Sequence, residues 1–339
     1  MYCFHMERNK PIDVLRAVAV ILVLGRHANF PISTLTDIWH RGGWVGVDLF
    51  FVLSGFLVSG LLFREFQKTG SIGWTRFVVR RGFKIYPAFY LLLIFTLLFN
   101  HFTGAGPFEW KRTLSELFFV QNYGAPMWGH TWSLAVEEHF YLLLPLLLAS
   151  SCRDNFRGLP LLVGVVGACL LALRCMNGSY DVQRSLFATH VRLDSLLFGT
   201  LLSYFYHFHR PKFDRVARFR GSLAVLGLIL LAPAFIWPLE TTPSIYTFGL
   251  TGFYLGSGAI LMSAIGGLPD YKIVTYLAAV GTFSYPIYLF HAAVGAWMFP
   301  NTTWEHCAAY FVVSIVIGMG LSKLIEMPAL RLREAVIPA

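Results

Sequence analysis

The chain has 339 residues, 56% of them hydrophobic and only 13% charged, with a formal charge of +9 and a mean hydropathy of +0.60. A soluble fold of this length needs more charge to cover its exterior. The basic residues lie between apolar runs, so the positive balance reads as membrane topology and anionic headgroups rather than nucleic acid as a partner.

Ten runs approach the roughly 20 apolar residues that cross a bilayer. In chain order they are 12–30, 44–63, 85–101, 131–151, 159–176, 188–207, 221–239, 245–265, 275–299 and 305–326. The expected fold is therefore all-α and polytopic, with about ten transmembrane helices in one integral-membrane domain over 1–339. An even count puts both termini on one side. Of the 27 Lys and Arg, eighteen (Arg8 among them) then fall in the terminal-side segments, four (Arg184 among them) in the opposite segments and five within spans. That bias predicts cytoplasmic termini.

The first run carries Asp13, Arg16, Arg26 and His27, and no small-residue cleavage site follows, which argues against a cleavable signal. Arg16 and His27 are eleven residues apart, about 20° past three full helical turns. They share one helix face, about 16 Å apart along the axis, with Arg16 near the cytoplasmic end and His27 deep toward the outer side. A charge in the bilayer is costly, so each such group calls for a partner or a function.

The second run contains GVDLFFVLSGFL, residues 46–57. Its Asp48 is expected at the depth of His27, where a carboxylate orients an imidazole. Ser54 and Gly55 suit close helix approach. The next loop ends in RRGFKIYP, where Arg80, Arg81 and Lys84 suit phosphates or plain positive-inside anchoring. Segment 102–130 is aromatic and polar, with Gly104, Gly106, Pro107 and Pro126, and is expected to shape an outward binding surface.

The fourth run opens TWSLAVEEHFYLLLP, which brings Trp132, Glu137 and Glu138 in from the outer side. Adjacent residues diverge by about 100°, so one glutamate at most shares a cavity with His27. Farther on, Arg192 and Asp194 in HVRLDSLLFG are expected to compensate each other, and SYPIYLFH ends in His291. The five cysteines, Cys3, Cys152, Cys169, Cys175 and Cys307, show no metal spacing and read as small apolar fillers.

Together these segments resemble the acyltransferase family 3 membrane proteins, nearly end to end. The resemblance rests on the Arg-x10-His of the first helix, GVDLFFVLSGFL, RR-x-x-K-I-Y-P, WSLAVEEHFYLLLP, RLDSLLFG, SYPIYLFH and a final E-x-P, in that order. It implies transfer of an acyl group, acetyl by default, from cytoplasmic acyl-CoA to a hydroxyl of a cell-surface carbohydrate or related acceptor. It also implies a bacterial cytoplasmic (inner) membrane, acetyl-CoA or another acyl-CoA as cosubstrate, no tightly bound cofactor and no metal.

The family's Arg/His signature maps to Arg16 and His27. Its Arg-x-x-Arg element maps to Arg81 and Lys84, where lysine offers phosphate a point charge but no bidentate fork. Of the two glutamates the pattern points to Glu137. The expected site has His27 as general base with Asp48 and Glu137 in support, and CoA held by Arg16, Arg80, Arg81 and Lys84. Ser54, Trp132, Arg192 and His291 are expected to meet the acceptor. The SGNH-type domain of some members is not expected here. A transporter or flippase, with the buried charges as a substrate or proton path, and a non-catalytic scaffold are the readings from other classes.

Overall fold

The computed structural model describes residues 9–31, 33–104, 108–177 and 186–338. Arg8, Cys3, Gly106, Pro107 and Arg184 lie outside them. Among the described residues every regular element is helical and there is no strand. A bilayer gives no water to unpaired backbone groups, and a helix satisfies its own.

The first half comprises α1 (Lys10–His27), α2 (Thr34–Gly42), α3 (Val45–Thr69), α4 (Trp74–Thr103), α5 (Trp110–Leu117), α6 (Trp132–Ser151) and α7 (Leu159–Asn177). The second half comprises α8 (Leu193–Phe208), α9 (Arg210–Ala217), α10 (Arg220–Ile236), α11 (Leu250–Ile265), α12 (Lys272–Thr282), α13 (Ser284–Met298), α14 (Trp304–Leu321) and α15 (Met327–Val336). Two π-helical turns, Ile245–Gly249 and Ser322–Glu326, lead into α11 and α15.

Among the described residues six helices are long and apolar enough to cross a membrane, or eight if each of two bent pairs is one span. The bent pairs are α9 with α10 (76°) and α12 with α13 (73°). The chain is thus a multi-pass membrane protein. Two of the ten expected runs fall short for different reasons. Helix α1 carries Lys10, Asp13, Arg16 and Arg26, and α8 is only 16 residues long. The expected start at 85 is also too late. Helix α4 begins at Trp74, so Arg80, Arg81 and Lys84 stand on its first turns rather than in a loop.

Helix α3 is the central post, with 78% of its apolar window buried, against 22% for α7. It lies along α8, and two glycines set the approach. A Cβ on Gly55 would stand 2.0 Å from the Leu196 carbonyl oxygen, and one on Gly199 would stand 2.2 Å from that of Val52. Such reciprocal small-residue contacts let apolar helices pack where lipid offers little hydrophobic drive. On its other side α1 meets α12, where a Cβ on Gly281 would meet the Asp13 carbonyl at 1.7 Å. The packing fixes the faces of α1, and hence the directions of Arg16 and His27. Lys10 adds an exposed tie, donating to Asp270 at 2.7 Å and holding that carboxyl below its usual range.

Candidate functional site

A cavity of about 460 Å³ opens at the His27 end of α1. Its aromatic wall is Trp44, Trp132 and Phe187, with ring centroids 5.0–6.1 Å apart. Its polar groups include Arg26, His27, His130, Glu240 and Tyr288. Glu240 pairs with Arg26 and accepts from Trp44 Nε1 at 3.0 Å. The charged rim is therefore already neutralised, and the wall is apolar with a few fixed polar groups, as small-molecule sites tend to be.

His27 is exposed into this space. Its Nδ1 lies 3.0 Å from the Val23 carbonyl oxygen. A carbonyl only accepts, so the ring hydrogen sits on Nδ1 and Nε2 keeps its lone pair. Two more imidazoles back it. The His27 and His291 centroids are 4.9 Å apart, His130 and His291 4.8 Å, and His27 and His130 6.4 Å. No group of three or more His, Cys, Asp or Glu among the described residues is spaced to hold a metal ion.

His130 comes from the segment before α6, and a buried carboxylate shapes that turn. Glu116 accepts from the backbone N–H of Met127 (2.9 Å) and from Thr131 Oγ1 (2.8 Å). Gln121 donates to the Thr131 carbonyl at 2.9 Å. These bonds hold Gly129 and His130 against the cavity, so segment 102–130 contributes to its wall.

Several expected placements change. Asp48 does not serve His27. Its Oδ1 accepts from Arg192 at 2.7 Å, with both side chains almost wholly buried. Arg192 and Asp194 do not compensate each other either. Asp194 pairs at 2.7 Å with Arg174, which also donates to the Val191 carbonyl and Thr251. Arg192 is two residues from Asp194 on the start of α8, where neighbours diverge around the axis, so each finds its countercharge on another helix. Arg192 is absent from the cavity lining, but its guanidinium lies 5.5 Å from the Trp132 ring, which is part of it. His291 is likewise fully buried behind His27 rather than on the cavity surface.

A second polar group sits at the Arg16 end. Arg16 lies 3.9 Å from Asp13 and within electrostatic reach of Arg81, Glu137 and Tyr141. Arg81 places its guanidinium 4.4 Å from the Tyr141 ring. Tyr141 and Ser54 are 2.5 Å apart and share Glu137 between them. Arg80 pairs with Glu334 at 2.7 Å and also donates to the Ile337 carbonyl. Lys84 pairs with Glu326, the glutamate of the E-x-P motif, which also accepts from Ser322 at 2.8 Å. Glu137 thus belongs with Arg16 and Arg81 rather than beside His27, and Glu138 accepts from Tyr86 at 3.1 Å. Yet Glu137 is also within electrostatic reach of Tyr288, which lines the His27 cavity.

Sequence reasoning missed His130, Trp44, Phe187 and Glu240. His130 directly precedes TWSL, and Glu240 is an isolated carboxylate between two apolar runs, which are the signals available for them.

The fold and this histidine-backed cavity define a multi-pass, all-helical membrane protein with a buried polar site. The sequence profile of the acyltransferase domain of family 3 matches residues 9–323. Peptidoglycan O-acetyltransferase OatA of Listeria monocytogenes is 32% identical over 310 residues, covering 83% of this chain and 48% of that protein. O-acetyltransferase OatA of Staphylococcus aureus strain NCTC 8325 is 29% identical over 309 residues, covering 83% and 49%. No solved structure matches. The chain belongs to acyltransferase family 3, and it spans about half the length of the curated relatives it matches.

Proposed function

We propose that the chain is a membrane O-acyltransferase that moves an acetyl group from acetyl-CoA to a hydroxyl of a cell-surface carbohydrate. Membership of acyltransferase family 3 and the O-acetyltransferase names of its relatives support the reaction class. The observation that carries the mechanism is the tautomer of His27. With Nδ1 bonded to Val23, Nε2 keeps its lone pair and serves as the base beside an open cavity. The aromatic wall suits the apolar face of a sugar ring.

In this reading the acceptor O–H gives its proton to His27 Nε2, and its oxygen bonds to the thioester carbonyl carbon. The carbon–sulfur bond breaks, and the CoA thiolate takes the proton back from His27. Protons balance, and no separate nucleophile is needed. Arg16 and Arg81 attract the CoA phosphates. Arg80 and Lys84 join them by exchanging their present carboxylates for phosphate oxygens. Glu137 and Ser54 line the way between the two ends.

The chain crosses the bilayer ten times in this reading, with cytoplasmic termini, because the basic residues concentrate on that side. Helices or bent pairs underlie all ten apolar runs. CoA then enters from the cytoplasm, and the His27 cavity faces outward from the bacterial cytoplasmic membrane.

The test uses the full chain in proteoliposomes, with acetyl-CoA and purified peptidoglycan fragments as the probe acceptor. His27→Ala is expected to lower acetyl transfer at least about 100-fold, the lower range for loss of a general base. Wild-type turnover by His27→Ala overturns the base assignment. Absence of acetyl transfer by the wild-type chain, with no acetyl mass increment missing from the glycans of a deletion strain, overturns the reaction.

A further inference from the structure

That mechanism leaves two imidazoles unused. His130 and His291 are only 4% and 0% exposed, and they complete the ring cluster behind His27. His130 Nε2 lies 3.0 Å from the Leu289 carbonyl oxygen, and His291 Nδ1 lies 2.5 Å from that of Tyr288. Both contacts require the histidine nitrogen to donate. The remaining nitrogens, Nδ1 of His130 and Nε2 of His291, are therefore lone-pair acceptors. Both are buried, and neither has a hydrogen-bond partner among the described residues.

An orphaned acceptor in the interior is destabilising. Two within one ring cluster are a feature the resting fold gains nothing from, since each ring is already anchored through its other nitrogen. Their rings stand beside the group whose charge changes. When His27 takes the acceptor proton it becomes an imidazolium against two buried rings, whose fixed dipoles act without reorganising.

We propose that His130 and His291 are positioning residues whose unpaired Nδ1 and Nε2 stabilise the imidazolium of His27 as it forms. The proposal rests on His27 being the base in the reading above. His291 carries the larger share, because its ring is 4.9 Å from that of His27 against 6.4 Å for His130. On its own helix its Nδ1 is tied back to Tyr288, so Nε2 is the nitrogen directed away from that helix. The cost of leaving the two acceptors unpaired at rest is recovered in the transition state, which raises turnover without tightening the hold on either substrate.

Amide side chains separate this role from a structural one. An asparagine amide reaches the position of Nδ1, and a glutamine amide that of Nε2. At 291, Asn keeps the donor to Tyr288 and loses the free acceptor, whereas Gln does the reverse. At 130 the assignments swap: Gln keeps the donor to Leu289, and Asn keeps the free acceptor. Activity and stability are therefore expected to follow opposite orders.

The four variants are assayed in the full chain with acetyl-CoA and the same peptidoglycan fragments, alongside thermal unfolding in detergent. His291→Gln and His130→Asn are expected to keep turnover within about threefold of wild type, while His291→Asn and His130→Gln lose about tenfold or more in kcat, which corresponds to about 1.4 kcal/mol of lost transition-state stabilisation. KM for both substrates stays unchanged, and the two slow variants are the more thermostable of each pair. Activity that follows stability, equal activity within each pair, a loss confined to KM, or failure of all four variants to fold overturns the proposal. If His27→Ala instead retains wild-type turnover, the base assignment has failed. If His27→Ala is inactive and the pairs follow the structural order, this inference alone has failed.

Discussion

The Arg192 guanidinium donates to Asp48 Oδ1 at 2.7 Å, joining the start of α8 to the start of α3. A second pair, Arg174 to Asp194, ties α7 to the same region of α8. These are two full charge pairs in the interior, 1–3% exposed at every side chain. Arg192 also lies against Phe51 and Trp132, so the clamp holds part of the cavity wall.

Removing one partner leaves the other charge buried and unpaired. Asp48→Ala is expected to destabilise the folded chain by about 3–5 kcal/mol, read by thermal unfolding in detergent. The double variant Asp48→Leu with Arg192→Met removes both charges and is expected to recover most of that loss. A double variant as unstable as Asp48→Ala would show that the pair does more than neutralise itself.

At the Arg16 end the four cations are not equivalent. Arg81 has no carboxylate salt bridge among the described residues, whereas Arg80 is held by Glu334 and Lys84 by Glu326. Arg81→Ala is expected to raise the KM for acetyl-CoA by about tenfold, the scale of one lost charge-assisted contact to phosphate. Glu334→Gln has the opposite sign: it releases Arg80 and is expected to lower that KM. Added salt is expected to shrink both effects, because partly exposed charges are screened. Steady-state kinetics over acetyl-CoA concentration checks both directions.

Orientation in the bilayer is checked by labelling. In intact cells producing a chain freed of its native cysteines, a membrane-impermeant maleimide is expected to modify Thr241→Cys and Asn301→Cys, and to modify Arg218→Cys only after the membrane is opened. The reverse pattern would invert the topology and place His27 toward the cytoplasm.

Much of this protein was legible from the sequence because a bilayer restricts what a chain can do. Long apolar runs become helices, since no other open structure pairs its own backbone groups in lipid. Helical periodicity alone put Arg16 and His27 on one face of α1, and the order of motifs carried the family resemblance. The basic segment at 80–84 was legible as a cluster, though not as part of a helix starting at Trp74.

Partner choice was decided only in three dimensions. Asp48 and His27 look matched in depth, yet pairing depends on which faces of α1, α3 and α8 turn toward one another. The Gly55–Leu196 and Gly281–Asp13 contacts set those faces. Arg192 ignores a carboxylate two residues away because helix geometry points it elsewhere. His27, His130 and His291 come from three separate segments, and no spacing in the sequence brings them together. The sequence by itself determined the elements and their inventory of charges. The tertiary packing decided that His27 lies beside two imidazoles while Asp48 pairs with Arg192, because only packing fixes which groups from distant segments meet.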